Sequence, residues 1–377
     1  MYESATNAPA GVTLFLCGDV MTGRGIDQIL PHPVEPHLFE SSVRSAQRYV
    51  ELAEQACGAI ERPVGFAYVW GAALPELERR RPDARIVNLE TAVTTSEKAW
   101  PGKEIHYRMH PGNVPCLSAL SIDCCVLANN HVMDWGRQGL LETVATLSNA
   151  GIRTAGAGRN AAEAASPAVV DTVHGKRVLV YAFGMENSGV PSAWRATAQR
   201  AGLNMLRDLS ERTVDTVARG IGTHKRPGDI VIVSLHWGPN WGFDIPAEER
   251  RFAHELLDRA GADLVHGHSS HHIKGIEVHR DKLILYGCGD FLNDYEGIGG
   301  YEAYHGDLAL MYFPTLDAES GRLRELVMTP TCTRRFRINL ADSEQADWLC
   351  ATLNREGRKL GTAVERDPTG TLRLRWT

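Results

Sequence analysis

Residues 229–238 read DIVIVSLHWG, and residues 263–275 read DLVHGHSSHHIKG. In each stretch a short β-branched or apolar run stops abruptly: the first at His236-Trp237-Gly238, the second at His266-Gly267-His268. Short apolar runs bounded by turn residues are the mark of buried strands, although periodicity alone does not separate them from buried helix. The same pattern recurs on either side. VTLFLC (12–17) ends in Gly18-Asp19, and ARIV (84–87) in Asn88-Leu89-Glu90. CCVLA (124–128) ends in Asn129-Asn130-His131, and KLILY (282–286) in Gly287-Cys288-Gly289-Asp290. Longer amphipathic stretches follow most of these runs, and that alternation predicts an α/β architecture.

Helices are expected at 44–60, at 136–150 with Leu140, Leu141, Val144 and Leu147 on one face, and after Pro246. Gly151 stands where a left-handed helix stop belongs. Pro246 is read as a first-turn proline leading into Phe252, Leu256 and Leu257, with the helix ending at Gly261. The end of the chain reads differently. FRINL (336–340) is followed by Asp342-Ser343 as a cap, a helix carrying Ala346, Leu349, Cys350 and Leu353, and then TLRLRW. The expected organisation is one domain over 11–314 and a small C-terminal strand–helix–strand extension over 315–377, packed on the core.

Composition narrows the function. The chain has 377 residues, 43% of them hydrophobic and 23% charged, with a net charge of −6. That excludes a disordered or low-complexity chain and gives no basic excess for a general nucleic-acid or anionic-membrane binder. The stretch MYESATNAPAGVTLFLC has no basic segment leading into a long apolar run, so neither a signal peptide nor a membrane anchor is expected. Eight dispersed cysteines without a C-x-x-C read as free thiols, and a cytoplasmic location is expected.

In open α/β sheets, ligands bind beyond the carboxyl ends of the strands. The residues at those ends are Asp19, Glu90, Asn130, His131, His236, His268 and His271. Each alone has an ordinary structural use: an aspartate after glycine caps a helix or turn, and a histidine after a strand hydrogen-bonds locally. Four imidazoles within seven residues, His266 to His272, have few such uses. Carboxylate, amide and imidazole donors without sulfur suit manganese, iron or zinc, and seven groups exceed the needs of one tetrahedral ion. No G-x-S-x-G elbow or dinucleotide fingerprint is present.

Taken in order, GDVMTGRG, NLETAVT, LANNHVMDWG, SLHWGPNW, GHSSHH-x-x-GIEV and LYGCGDF resemble the CapA family. These are the poly-γ-glutamate capsule biosynthesis proteins, a branch of the calcineurin-like metallophosphoesterase superfamily. The resemblance implies a metallophosphatase-like two-sheet sandwich flanked by helices, with one or two divalent metal ions at the strand ends. It implies Asp19, Asn130, His236, His268 and His271 as metal ligands, and Glu90 as the bridging carboxylate. His131 is implied as the imidazole facing the substrate. Arg24 and Arg108 are the candidates to clamp an anionic group.

Three departures stand out. Met21 replaces the usual histidine of Asp-x-His, Ser269 and Ser270 interrupt the terminal histidine motif, and no counterpart of the capsule proteins' membrane anchor is expected. The expectation is a metal-dependent hydrolase of a small anionic or peptide-like substrate, with phosphoester and γ-glutamyl amide both open. The alternative is a non-catalytic accessory protein of anionic-polymer synthesis. A homo-oligomer stays open.

Overall fold

A computed structural model describes residues 11–377 apart from residue 174. The expectation about the N-terminal segment falls partly on residues 1–10, outside the described residues. The protein is mixed α/β, and the chain builds one sheet, crosses to a second, and returns to the first.

The opening strands β1 (Gly11–Val20), β2 (Ala84–Leu89), β3 (Cys124–Val126) and β4 (Arg153–Ala155) pair side by side in parallel. Parallel neighbours require crossovers, and α1 (Gln47–Cys57) and α2 (Gly136–Asn149) lie in two of them. The second sheet holds β5 (Ala168–Asp171), β6 (Arg177–Gly184), β7 (Ile230–His236), β8 (Leu264–His268), β9 (Ile276–His279) and β10 (Lys282–Leu285). Its spatial order is β9-β10-β8-β7-β6-β5. Helices α3 (Glu211–His224) and α4 (Ala247–Asp258) precede β7 and β8.

The chain then returns to the first sheet. β11 (Asp290–Leu292) pairs in parallel with β1, and β12 (Leu308–Asp317) runs antiparallel on it. β13 (Leu323–Thr333), β14 (Ile338–Leu340), β15 (Thr362–Arg366) and β16 (Leu372–Trp376) extend that sheet to its far edge.

Three apolar clusters show where the layers meet. One joins Leu14, Leu16 and Ile86 of the first sheet to Val180, Ile232 and Leu264 of the second, so it lies between the sheets. The other face of the first sheet (Phe15, Val87, Cys125) packs on Tyr49, Val50 and Leu140 of α1 and α2. The other face of the second (Val231, Val233, Leu235) packs on Val217, Ile221, Phe252 and Leu256 of α3 and α4. Strands buried on both faces explain why their sequences are continuous apolar runs without alternation.

The expected helices form with small changes at their ends. Gly151 and Gly261 take positive φ, 77° and 84°, beyond the ends of α2 and α4. Pro246 has an extended ψ of 142° and stands just before α4 rather than in its first turn. The division expected at 314/315 falls inside β12, and the residues past it form the edge of the first sheet. The last helix, α5 (Ser343–Gly357), opens on a capping box between Asp342 and Gln345. Its Leu349 and Leu353 join the cluster between the sheets. Among the described residues, no helix is long and apolar enough to cross a membrane.

Candidate metal centre

The register of the parallel strands decides which strand ends meet. His236 closes β7 directly beside His268, which closes β8. Near the end of β1, Asp19 has Asn88 of β2 on one side and Asp290 of β11 on the other. Asp19, Glu90, Asp290, His236 and His268 are each at most 1% exposed, and His271 is 7% exposed. Two sets of three have donor atoms within 4.8 Å of one another: Asp19 with His236 and His268, and Asp19 with His271 and Asp290. Asp19 is common to both.

Hydrogen bonds fix the tautomers of the first set. His266 Nε2 lies 2.8 Å from the Cys17 carbonyl and donates to it, so its Nδ1 accepts from the Ser234 hydroxyl at 3.2 Å. Ser234 Oγ then accepts from His268 Nε2 at 2.8 Å, which leaves a lone pair on His268 Nδ1. From the other side, His236 Nε2 donates to Asn130 Oδ1 at 3.0 Å, leaving a lone pair on His236 Nδ1. The two Nδ1 atoms face each other at 2.8 Å. Two lone pairs at that distance repel unless a proton or a cation lies between them. Donors about 2.1 Å from one ion stand roughly 3 Å apart when adjacent around it, so the spacing fits shared ligation.

The carboxylates state the same need as charge. Burial, and then the neighbouring Asp290, push the Asp19 carboxyl up to about 7. Burial, followed by Asp19 and Asp290, pushes Glu90 well above the carboxylate range. The Asn88 amide donates to Asp19 Oδ1 at 2.7 Å and to Glu90 Oε2 at 3.2 Å, tying the two acids together. The nearby cations are already committed: Arg24 to Asp294 and Glu40, and Lys103 to Asp134. Only His271 helps. Burial draws its pKa down, but Asp290, 2.8 Å from its Nδ1, more than reverses this and the net shift is upward. Buried like charges persist when paired or bound to metal. A divalent cation fits here, and the oxygen and nitrogen donors suit manganese, iron or zinc.

Glu90 stands outside both three-donor sets, with its oxygens 3.8 Å from His131 Nε2 and 3.9 Å from His236 Nδ1. His131 sits beside the cluster, its Nδ1 2.6 Å from Asp134 Oδ2. Lys103 bonds the Asn130 carbonyl and Asp134. Burial and then Lys103 lower the His131 pKa to about 4, so the ring is neutral at pH 7.

The two arginines are held internally. Arg24 donates to both oxygens of Asp294 at 2.9 and 2.6 Å and to Glu40 at 3.0 Å, with the guanidinium 3.7 Å from the Tyr49 ring centre. Arg108 bonds the carbonyls of Ser96 and Glu35 and lies over Trp135. A cavity of about 780 Å³ opens onto His271 and is lined by Trp241, Asn293, Tyr295, Tyr301 and Arg334. Arg24 borders it and Arg108 does not.

The site contains residues that the sequence reading left out of its set: Asp290, Asp134, Lys103 and the Ser234–His266 pair. For Asp290 a signal existed, because Gly289-Asp290 follows an apolar run just as Gly18-Asp19 does. Asp134 stands three residues past His131 inside LANNHVMDWG, so that spacing was a local signal. Lys103 carries none, and only folding brings it to His131.

Fold and site together define an α/β protein with a buried carboxylate–imidazole cluster fitted to divalent cations. The chain belongs to the family described as "Bacterial capsule synthesis protein PGA_cap", which it matches over residues 13–295. It is 47% identical over 367 residues to the "Probable polyglutamine synthesis accessory protein" of Mycobacterium tuberculosis, covering 97% of this chain and 96% of that one. It is 29% identical over 248 residues to "PGA biosynthesis protein CapA" of Bacillus subtilis, covering 66% of this chain and 60% of that one. With "Capsule biosynthesis protein CapA" of Bacillus anthracis it shares 25% identity over 283 residues, 75% of this chain and 60% of the relative. The resemblance carried by the ordered motifs is thus borne out.

Proposed function

We propose that this protein is a metal-dependent hydrolase serving polyglutamate or capsule synthesis, built on a metallophosphatase-type sandwich. It acts on a phosphoester or a γ-glutamyl amide of an anionic substrate. The observation that carries this reading is the His131–Asp134 pair beside the cation cluster (2.6 Å), which a purely structural metal site does not need. Asp19, His236, His268 and His271 would hold the ions, with Asn130 and Glu90 beside them. A divalent cation in this place supplies Lewis acidity, polarising a phosphoryl or carbonyl oxygen and acidifying water.

The chain's own groups do the rest. Asp134 accepts the Nδ1 proton of neutral His131 and leaves the Nε2 lone pair free. Nε2 takes a proton from the attacking water, Asp134 stabilises the imidazolium, and that proton then passes to the leaving group. The cavity at His271 admits the substrate past Trp241 and Tyr301. All eight cysteines are unpaired, which supports a reducing, cytoplasmic compartment.

A second reading, a non-catalytic accessory protein, is favoured by one feature. Met21 places a thioether where Asp-x-His would place an imidazole. Turnover separates the two. Protein loaded with manganese or zinc is assayed on phosphomonoesters, phosphodiesters and γ-glutamyl peptides beside His131→Ala. Hydrolysis that the variant loses, at unchanged metal content, supports the enzyme. No turnover by metal-loaded protein on any of them supports the accessory role.

A further inference from the structure

We infer that Asp290 is a ligand of a second cation, one that shares Asp19 with the first, and that it makes good the donor absent at Met21. The inference rests on the metal-centre reading above and adds a residue and a position to it.

The backbone forces Asp290 against Asp19. The two strands run parallel in a register that sets these residues side by side, and Asp19 N–H donates to the Gly289 carbonyl at 2.9 Å. The approach needs glycine. A Cβ on Gly18 would stand 1.7 Å from that same carbonyl oxygen, and Gly289 itself takes a φ of 77°. Two Gly-Asp pairs, 18–19 and 289–290, therefore bring their carboxylates together away from water. Like charges directly opposite on neighbouring strands destabilise a sheet, and burial at 0% and 1% exposure makes the repulsion worse. A fold that holds such a pair by its main chain has built a cation position.

The donors around it complete the case. His271 Nδ1 is 2.8 Å from Asp290 Oδ1, and the Asn293 amide steadies Oδ2 at 3.0 Å. Met21, two residues past Asp19, is fully buried, and its sulfur receives the Tyr295 hydroxyl at 3.8 Å. A thioether is a soft donor, poorly matched to the harder ions that an oxygen–nitrogen set selects. Asp290 reaches the same neighbourhood from the adjacent strand with a hard, charged oxygen. The two positions are then Asp19 with His236 and His268, and Asp19 with His271 and Asp290.

The test is cation stoichiometry. Metal-free protein is titrated with manganese(II), bound metal is counted by equilibrium dialysis with elemental analysis, and spin coupling between paired ions is read by electron paramagnetic resonance. The wild type is expected to bind two equivalents with a coupled signal. Asp290→Asn is expected to keep one and to bind the other more than about 100-fold more weakly, uncoupled. That loss exceeds the roughly 10- to 100-fold typical of removing a group that merely orients a ligand. Met21→His in the Asp290→Asn background is expected to restore the second equivalent. Should Asp290→Asn fail to fold, His271→Ala carries the test and is expected to retain a single equivalent.

Two equivalents held by Asp290→Asn within 100-fold of wild type, or a wild type that binds only one, would overturn the inference and leave the hydrolase reading standing. A wild type that binds no cation overturns that reading as well.

Discussion

Asp19→Asn is expected to stabilise the metal-free protein and to destabilise the metal-loaded one. Asp19 is fully buried, and its carboxyl is raised from 3.8 to about 7, first by burial and then by Asp290. Between those two values the folded chain keeps a proton that the unfolded chain has lost. Its stability therefore falls as pH rises through this window. At about 1.4 kcal/mol per pH unit, the full penalty above pH 7 is ~4 kcal/mol. Asparagine removes the charge and keeps an oxygen for the Asn88 amide, but it loses the acceptor that Ser269 N–H uses at 3.2 Å. That loss costs about 1 kcal/mol.

The variant should thus gain ~3 kcal/mol over wild type by pH 7.5. For a chain of 377 residues, with an unfolding entropy of ~0.8 kcal/mol per degree, this is a Tm gain of about 4 °C. At pH 4 the gain should be absent. The neighbouring histidines are present in both proteins, so their titration largely cancels in the difference. Adding manganese or zinc should reverse the sign, because Asp19 is common to both donor sets. Calorimetry of chelated and reconstituted protein from pH 4 to 8 gives the answer. A metal-free difference that does not grow with pH, or a cation that stabilises both proteins equally, would refute the reasoning.

Three other outcomes follow from the same geometry. Ser234→Ala breaks the relay that leaves a lone pair on His268 Nδ1, so cation affinity should fall roughly 10- to 100-fold, measured by competition with a chromophoric chelator; Ser234→Thr should recover most of it. Asp134→Asn removes the acceptor that holds the His131 tautomer and should cut turnover about 10²- to 10⁴-fold while elemental analysis shows unchanged metal. Arg24→Ala leaves Asp294 and Glu40 buried without their partner and should cost about 3–5 kcal/mol of stability. Thermal unfolding at saturating cation reads that loss, and a raised KM with unchanged Tm would return Arg24 to substrate binding.

Much of the fold is legible along the chain because burial acts locally. A strand covered on both faces is apolar throughout, and the residue that leaves the core is polar, so runs such as Ile230–Leu235 declare both the strand and its end. The same logic exposes Asp19, Glu90, His236 and His268, each standing where an apolar run stops. Helix limits follow from equally local rules, as Gly151 and the Asp342 capping box show. Arg24 and Arg108 are read as anion clamps because arginine's planar fork suits a phosphate or carboxylate. Nothing in the sequence around either one announces that Asp294, Glu40 and two backbone carbonyls take up their donors.

The sequence by itself determined which side chains leave the core at strand ends, and with them the oxygen and nitrogen donors that favour a divalent cation. Tertiary structure alone decided which of those ends meet. The pairing of β1 with β11 sets Asp290 beside Asp19, the return of the chain to the first sheet makes the C-terminal residues its edge, and a distant loop brings Lys103 to His131. Each depends on backbone hydrogen bonds and burial between segments far apart in the chain. Local periodicity records that a strand is buried, but not against which partner.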